Sequence, residues 1–507
     1  MSLDTPAGPP ADTPAETPAD AADTATDTAA ESSRTETERE TAEGTATPGL
    51  WQGLRPLALR IHFYAGLLVG PLLLIAAVSG LLYALSFQAE KLVYRDELTV
   101  SAQGDRVLPL SEQVKAAREA RPDGTVTAVW PAAEDDQTTR VLMSAPGVEE
   151  GKSLAVFVDP YTAEIRGELP SFGSTGALPL RTWLDELHRD LHLGEPGRNY
   201  SELAASWLWV VALGGLLLWL GRRRSARRDL VRPDRSLPKG RRRTLTWHGS
   251  IGLWAVIGLV LLSATGLTWS RYAGENIGAV QDQLGGATPA VSAVLGDTPG
   301  GAGAGGDHAE HGAGHGGAHQ GADIGIDRAL AAARTAGIDS GQVAISLPAE
   351  GTGYVVRERD TTFPVQLDSV ALNPADGAVL DELSFADYPV LAKLTRYGID
   401  AHVGVFLGLA NQLALAALAA GLIVLIVSGY RMWWLRRPTR GRALGGRPVP
   451  RGAWRRLPVT VLLPFAAATA FVGWFVPLLG ISLLAFLALD LALGALARFR
   501  TRSAGRA

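Results

Sequence analysis

Histidine is the residue type in this 507-residue chain best able to do chemistry; there are nine, and no cysteine. Five of them, His62, His188, His192, His248 and His402, stand at the ends of long apolar runs, while His308, His311, His315 and His319 crowd one loop. A histidine carried into a membrane segment is costly and is by default functional, although an isolated one commonly caps a neighbouring carbonyl. Spacing argues against isolated roles here. His62 is followed by Gly66 and Ser79-Gly80, and His248 by Gly252 and Thr265-Gly266, in matching register without a gap. His188 and His192 are four apart, on one helical face. His188 is as far from Gly215 as His402 is from Gly429, whereas His192-Leu-Gly matches His402-Val-Gly, so either could be the counterpart of His402. Two imidazoles converging from two helices, with small residues leaving room for a flat macrocycle, suit a bis-histidine haem. The same glycines would also serve close helix packing alone.

The missing cysteines exclude a disulfide framework, Cys-ligated zinc, iron–sulfur clusters, a catalytic thiol and covalent c-type haem. Any redox centre is therefore held non-covalently through nitrogen or oxygen. Walker A, H-E-x-x-H and strand–G-x-G-x-x-G–helix patterns are also missing, so the chain offers no nucleotide or flavin site of its own and its electrons come from elsewhere. His308, His311, His315 and His319 lie in a Gly/Ala-rich stretch that holds no firm helix. They read as a solvated linker or as a weak metal-capturing tract.

The elements that position these histidines are membrane helices. Apolar runs near the roughly 20 residues a bilayer requires occur at about 63–87, 204–220, 251–269 and 403–435, and 457–497 is long enough for two spans hinged near Pro477. Six spans are expected. Arg222–Arg243 carries ten Arg and one Lys against two acids, and Arg436–Arg456 carries eight Arg and no acid. Positive loops stay inside, which puts both termini in the cytoplasm and both long connections outside a multi-pass plasma (inner) membrane protein. The expected layout is an acidic disordered tail (1–50), span one (51–92), a soluble module (93–185) and span two (186–221). A basic loop (222–246), span three (247–272), a Gly/His-rich loop with a second module (273–395) and span four (396–435) follow. A basic loop (436–456), spans five and six (457–497) and a tail (498–507) complete it. Residues 1–50 hold 11 acids and two Arg without periodicity, and show neither the basic nor the apolar region of a signal peptide.

The soluble modules repeat too. Each has an amphipathic helix (111–120; 327–336), strand-like runs (125–131, 138–144, 153–159; 341–347, 353–359, 366–372) and an Asx-Pro turn, Val158-Asp-Pro and Leu372-Asn-Pro. Helix followed by antiparallel meander implies a small α+β module used twice. Both halves cross the membrane in the same sense, so they are parallel repeats about an axis along the membrane normal. His62 is then expected to face His248 near the cytoplasm, and His402 its counterpart near the exterior. From His402 to Arg436 is 34 positions, about 50 Å of straight helix, which leaves the outer site at or above the interface.

Arg60-Ile-His62 with Ser79-Gly80, Leu187-His-Arg-Asp-Leu191, Trp247-His248 with Thr265-Gly266, and His402-Val-Gly with Gly429 and Met432-Trp-Trp434 together resemble the PepSY-associated transmembrane family over roughly residues 52–437. That family includes ferric-siderophore reductases and iron-uptake factors. The resemblance implies PepSY-like α+β modules, and haem b, two bis-His groups on this count of ligands; with the last two helices, which lie outside the shared pattern, the expected fold is a six-helix bundle carrying two such modules. It also implies one-electron reduction of an external ferric complex such as a ferric siderophore, with a cytoplasmic reductase or other donor as partner and no nucleic acid. Some related proteins are thought to carry a flavoprotein reductase module; this chain has none. Two rival readings stand beside it: a non-enzymatic scaffold presenting PepSY modules for binding or protease regulation, and metal handling through His308–His319.

Overall fold

The computed structural model describes residues 50–222, 228–295, 322–436 and 458–504. The calls on the acidic tail and on His308, His311, His315 and His319 lie outside the described residues. The chain enters on α1 (Leu50–Leu68), which runs into α2 (Gly70–Val93). Pro71 removes an amide donor at that junction, but Val69 bonds back to Ala65 and Leu73 to Val69, so the rod bends without breaking. Then come α3 (Arg95–Leu98), α4 (Leu110–Ala120), β1 (Thr125–Trp130), β2 (Thr139–Ser144), β3 (Lys152–Val158), β4 (Ile165–Phe172), α5 (Pro179–Asp190) and α6 (Glu195–Leu220). After α7 (Arg228–Val231) the pattern repeats: α8 (Arg241–Thr268), α9 (Tyr272–Gln283), α10 (Ile326–Thr335), β5 (Val343–Ser346), β6 (Tyr354–Glu358), β7 (Ser369–Leu372), β8 (Val379–Leu383), α11 (Val390–Val403) and α12 (Leu409–Trp434). A hairpin of α13 (Val459–Phe475) and α14 (Pro477–Ala504) ends the described chain.

Among the described residues, five helices are long and apolar enough to cross a membrane: α2, α6, α8, α12 and the Pro477–Leu496 part of α14. The chain is a multi-pass membrane protein. The remaining apolar helix, α13, has 17 residues, about 25 Å at 1.5 Å per residue. Helices α2, α6, α8 and α12 form a ring in which each packs on the next, and α1 lies against α6.

The two meanders do not stand apart. All eight strands form one antiparallel sheet in the order β4-β3-β2-β1-β5-β6-β7-β8. The halves meet at the β1–β5 seam, where Ala128 pairs with Ser346 and Val129 with Ile345. Alternation along the strands divides the two faces. Val129, Val141, Ile345 and Val356 pack on one side with Val114 and Ala117 of α4 and Ala329 and Ala333 of α10, whereas Trp130, Leu142, Ala155 and Phe157 turn to the other. The halves also brace each other: the carboxylate of Asp327 on α10 accepts the Leu110 and Ser111 amides at the start of α4, donors that no helical carbonyl can reach. Both Asx-Pro turns form as the sequence predicts. Asp159 accepts from Tyr161 and Thr162, Asn373 accepts from Ala375, and each turn closes through a left-handed residue, Ala163 and Gly377.

The apolar run from Val403 to Leu435 is not one straight helix. It breaks at Gly404–Gly408, leaving His402 on the separate helix α11. The first half breaks in the same way between α5 and α6. Gly194 (φ 63°, ψ −132°) and Gly408 (φ 55°, ψ −133°) take the same backbone conformation, one that side-chain-bearing residues avoid.

The terminal hairpin is fastened to both halves of the bundle. Trp207 donates its indole N–H to Ser482 (2.9 Å), and Asn276 donates to the carbonyl of Phe475 (2.9 Å). Arg60 forms an ion pair with Asp490, an acid inside the apolar run of α14. Removing one member strands a charge among apolar neighbours, and removing both does not. Asp490→Leu should therefore lower stability by about 3 kcal/mol, and Arg60→Leu/Asp490→Leu should recover most of it. Thermal unfolding in lipid nanodiscs measures both; a double variant as unstable as the single one would contradict this account.

Candidate functional site

The bundle gathers four histidines in two layers. On the side away from the sheet, His62 of α1 brings Nδ1 to 2.9 Å from the Val211 carbonyl oxygen of α6. Its ring lies on Gly215, where any Cβ would come within 2.9 Å of the imidazole. His248 of α8 brings Nδ1 to 2.9 Å from Ser428 Oγ on α12 and lies against Gly429. Ser428 in turn donates to the Leu425 carbonyl, the repeat counterpart of Val211. The same carbonyl anchors both rings, directly in one half and through a hydroxyl in the other. The two rings meet edge to face, with centroids 6.2 Å apart and planes at 80°.

The second layer lies toward the sheet. His188 of α5 sets Nδ1 3.0 Å from Ser79 Oγ and rests on Gly80, while His402 of α11 sets Nδ1 2.7 Å from Thr265 Oγ1 and rests on Gly266. Trp269 closes on His402 edge-on at 5.5 Å. His188 lies within electrostatic reach of His402. The Ser79-Gly80 and Thr265-Gly266 pairs so conspicuous in the sequence are thus seats for the histidines of the returning halves. The hydroxyl orients the ring, and the glycine leaves room for it. From His62 to Ser79, and from His248 to Thr265, is 17 positions, so the layers are about 25 Å apart along the helices. The 34 positions from His402 to Arg436 run to the arginine cluster rather than between the layers, and the break at Gly404–Gly408 interrupts them.

The hydrogen bonds determine which nitrogen is free. A carbonyl can only accept, so Nδ1 of His62 carries a proton. Ser79, Thr265 and Ser428 already give their hydroxyl hydrogens to the carbonyls of Ile75, Leu261 and Leu425, so they too accept from Nδ1–H. In a neutral ring this leaves the Nε2 lone pair as the donor atom in all four cases. Beside His62 on the same helical face, Gly66 has nothing within 4 Å of where its Cβ would stand. Among the described residues no group of three His, Asp or Glu side chains is placed to hold a bare metal ion; the histidines are arranged as pairs.

His192 lies outside this arrangement. It is half-exposed on the loop after α5, with Nδ1 3.3 Å from Glu186, its ring against Trp183 and its amide donated to Asp190. The counterpart of His402 is His188, six residues before the matched glycines Gly194 and Gly408. Sequence reasoning missed Val211 and the Ser428 relay, since a backbone carbonyl has no sequence signature; only the Ser428-Gly429 pair hinted at the second.

A ring of apolar helices with buried facing imidazoles, under a sheet built from two repeats, defines a duplicated membrane protein. The sequence profile of the PepSY-associated TM region matches residues 59–436, and the chain belongs to that family. No curated protein matches it. The C-terminal hairpin lies beyond the matched region.

Histidine nitrogen NMR of the isotope-labelled protein should show the Nδ1–H tautomer for His62, His188, His248 and His402. Thr265→Val, which removes the acceptor, should release His402 into tautomer exchange and leave His62 unchanged.

Proposed function

We propose that this protein carries two b-type haems across a plasma (inner) membrane and passes single electrons from a cytoplasmic donor to ferric complexes outside, as ferric-siderophore reductases do. The observation that carries this reading is the pair of imidazole layers, each ring anchored at Nδ1 with Nε2 free. His62 and His248 stand with their ring centroids 6.2 Å apart. These two would hold the inner haem, and His188 with His402 the outer. When bound, such a haem supplies one-electron transfer at a coordinatively saturated iron.

The rest is the work of the chain. Val211, Ser79, Thr265 and Ser428 hold the rings in one orientation and, by accepting from Nδ1, make Nε2 a stronger base. Buried apolar side chains between the layers, among them Leu73, Ala77, Ala255 and Leu259, keep water and protons out of the path. Reduction of Fe(III) to Fe(II) loosens hard oxygen ligands and releases the metal outside. With no nucleotide site in the sequence, the electron donor is a separate reductase or other cytoplasmic carrier. In this reading α13 is the sixth span, the sheet is outside and both termini are inside, following the arginine-rich loops.

His62→Ala and His248→Ala should each remove about half of the haem absorbance, and the double variant no more, since both ligate one iron. His188→Ala and His402→Ala should remove the other half, and His192→Ala none. Full low-spin spectra in His62→Ala and His248→Ala would refute the ligand set, and a haem-free wild type would leave the scaffold reading in its place. For topology, the cysteine-free background makes Ser236→Cys a clean probe. It should resist an impermeant thiol reagent applied to intact cells, whereas Thr361→Cys should react.

A further inference from the structure

Between the strand face that bears Trp130 and Phe157 and the tops of α2, α11 and α12 lies a cavity of about 2150 Å³. Its floor includes Phe87, Val405, Gly408 and Gln412, so only the short turn after His402 separates it from the outer imidazole layer. In its wall Arg140 of β2 is sunk against two aromatic rings, with its guanidinium carbon 5.8 Å from the centroid of Trp130 and 5.3 Å from that of Phe157. It donates to the Gly176 carbonyl. The charges that act on it are those of Arg181 and Glu90, and these two are committed to each other, with Arg181 Nε 2.8 Å from Glu90 Oε2. Glu90 also accepts the Leu178 amide. Arg140 is therefore a half-buried cation with a second cation near it and, among the described residues, no carboxylate of its own. Burial and the repulsion of Arg181 lower its pKa to about 10, still leaving it charged at neutral pH. A buried charge is normally paired, and a planar guanidinium presents several N–H groups that match a carboxylate.

We propose that this cavity is a binding site for a small anionic carboxylate ligand, the class to which carboxylate chelates of ferric iron belong, with Arg140 as its charge-pairing anchor. This deepens the reading above by giving its electron acceptor a chemical class, and it rests on that reading only for the link to reduction. A ligand seated there would have its charge met by Arg140 in a cavity whose lining also includes Val405 and Gly408 of the turn that follows His402.

Gallium(III) citrate is a redox-inert probe of ferric citrate, so its binding needs neither electrons nor haem. Equilibrium dialysis against nanodisc-embedded full-length protein should show saturable binding. Arg140→Gln should weaken it about tenfold or more, the loss of a charge-assisted hydrogen bond, while Arg140→Lys should retain most of it. A neutral gallium tris-hydroxamate should be insensitive to either change. Folding of each variant is checked by its unfolding midpoint. Equal binding of gallium citrate to wild type and Arg140→Gln, or none to wild type, would overturn the proposal. Arginine-dependent binding to a protein that carries no haem would uphold the site while the electron-transfer reading fell.

Discussion

Everything in the bundle is arranged around one constraint: an imidazole among apolar helices needs a partner for its N–H. Four rings meet it in the same way, by giving Nδ1–H to an oxygen on a neighbouring helix. The glycine beside each oxygen brings helix and ring close enough for the bond to form. An unpaired buried donor costs more than a made bond gains, so these contacts dictate which helices touch and at what height. The repeat follows from this, since each half must supply both a histidine and a seat.

The inner layer is not perfectly symmetric, and the difference is instructive. His62 reaches its carbonyl directly, whereas His248 reaches the equivalent carbonyl through Ser428, at a position where the first half has Gly214. A direct carbonyl and a relayed one pull on the imidazole proton to different degrees, so the two rings are unequal bases. The two halves present matching imidazoles, and one hydroxyl found only in the second makes them distinguishable.

Much of this was legible in the sequence, and what was not follows a pattern. The matched His and hydroxyl-Gly spacings and the Asx-Pro turns are local or periodic signals and lie where the sequence puts them, while five of the six expected spans reach membrane-crossing length among the described residues. The β1–β5 seam pairs strands more than two hundred positions apart and leaves no local trace. The break at Gly404–Gly408 hides inside an apolar run whose composition does not change across it. Asp490 reads as one acid among leucines until Arg60 is seen beside it. His188 and His192 were indistinguishable by spacing because the seat that decides between them is on another helix.

The seam between β1 and β5 carries a further implication. A four-stranded meander on its own has two open edges, and such edges invite pairing with another chain. Here the edge of each half is closed by the like edge of the other, as it would be across the twofold axis of an isologous dimer. Each half also supplies one member of each histidine layer, and Asp327 of the second half braces α4 of the first. A chain of half this length could therefore have completed neither its sheet nor its sites except by pairing with a copy of itself. Joining the two halves in one chain makes permanent a pairing that between separate chains would depend on concentration.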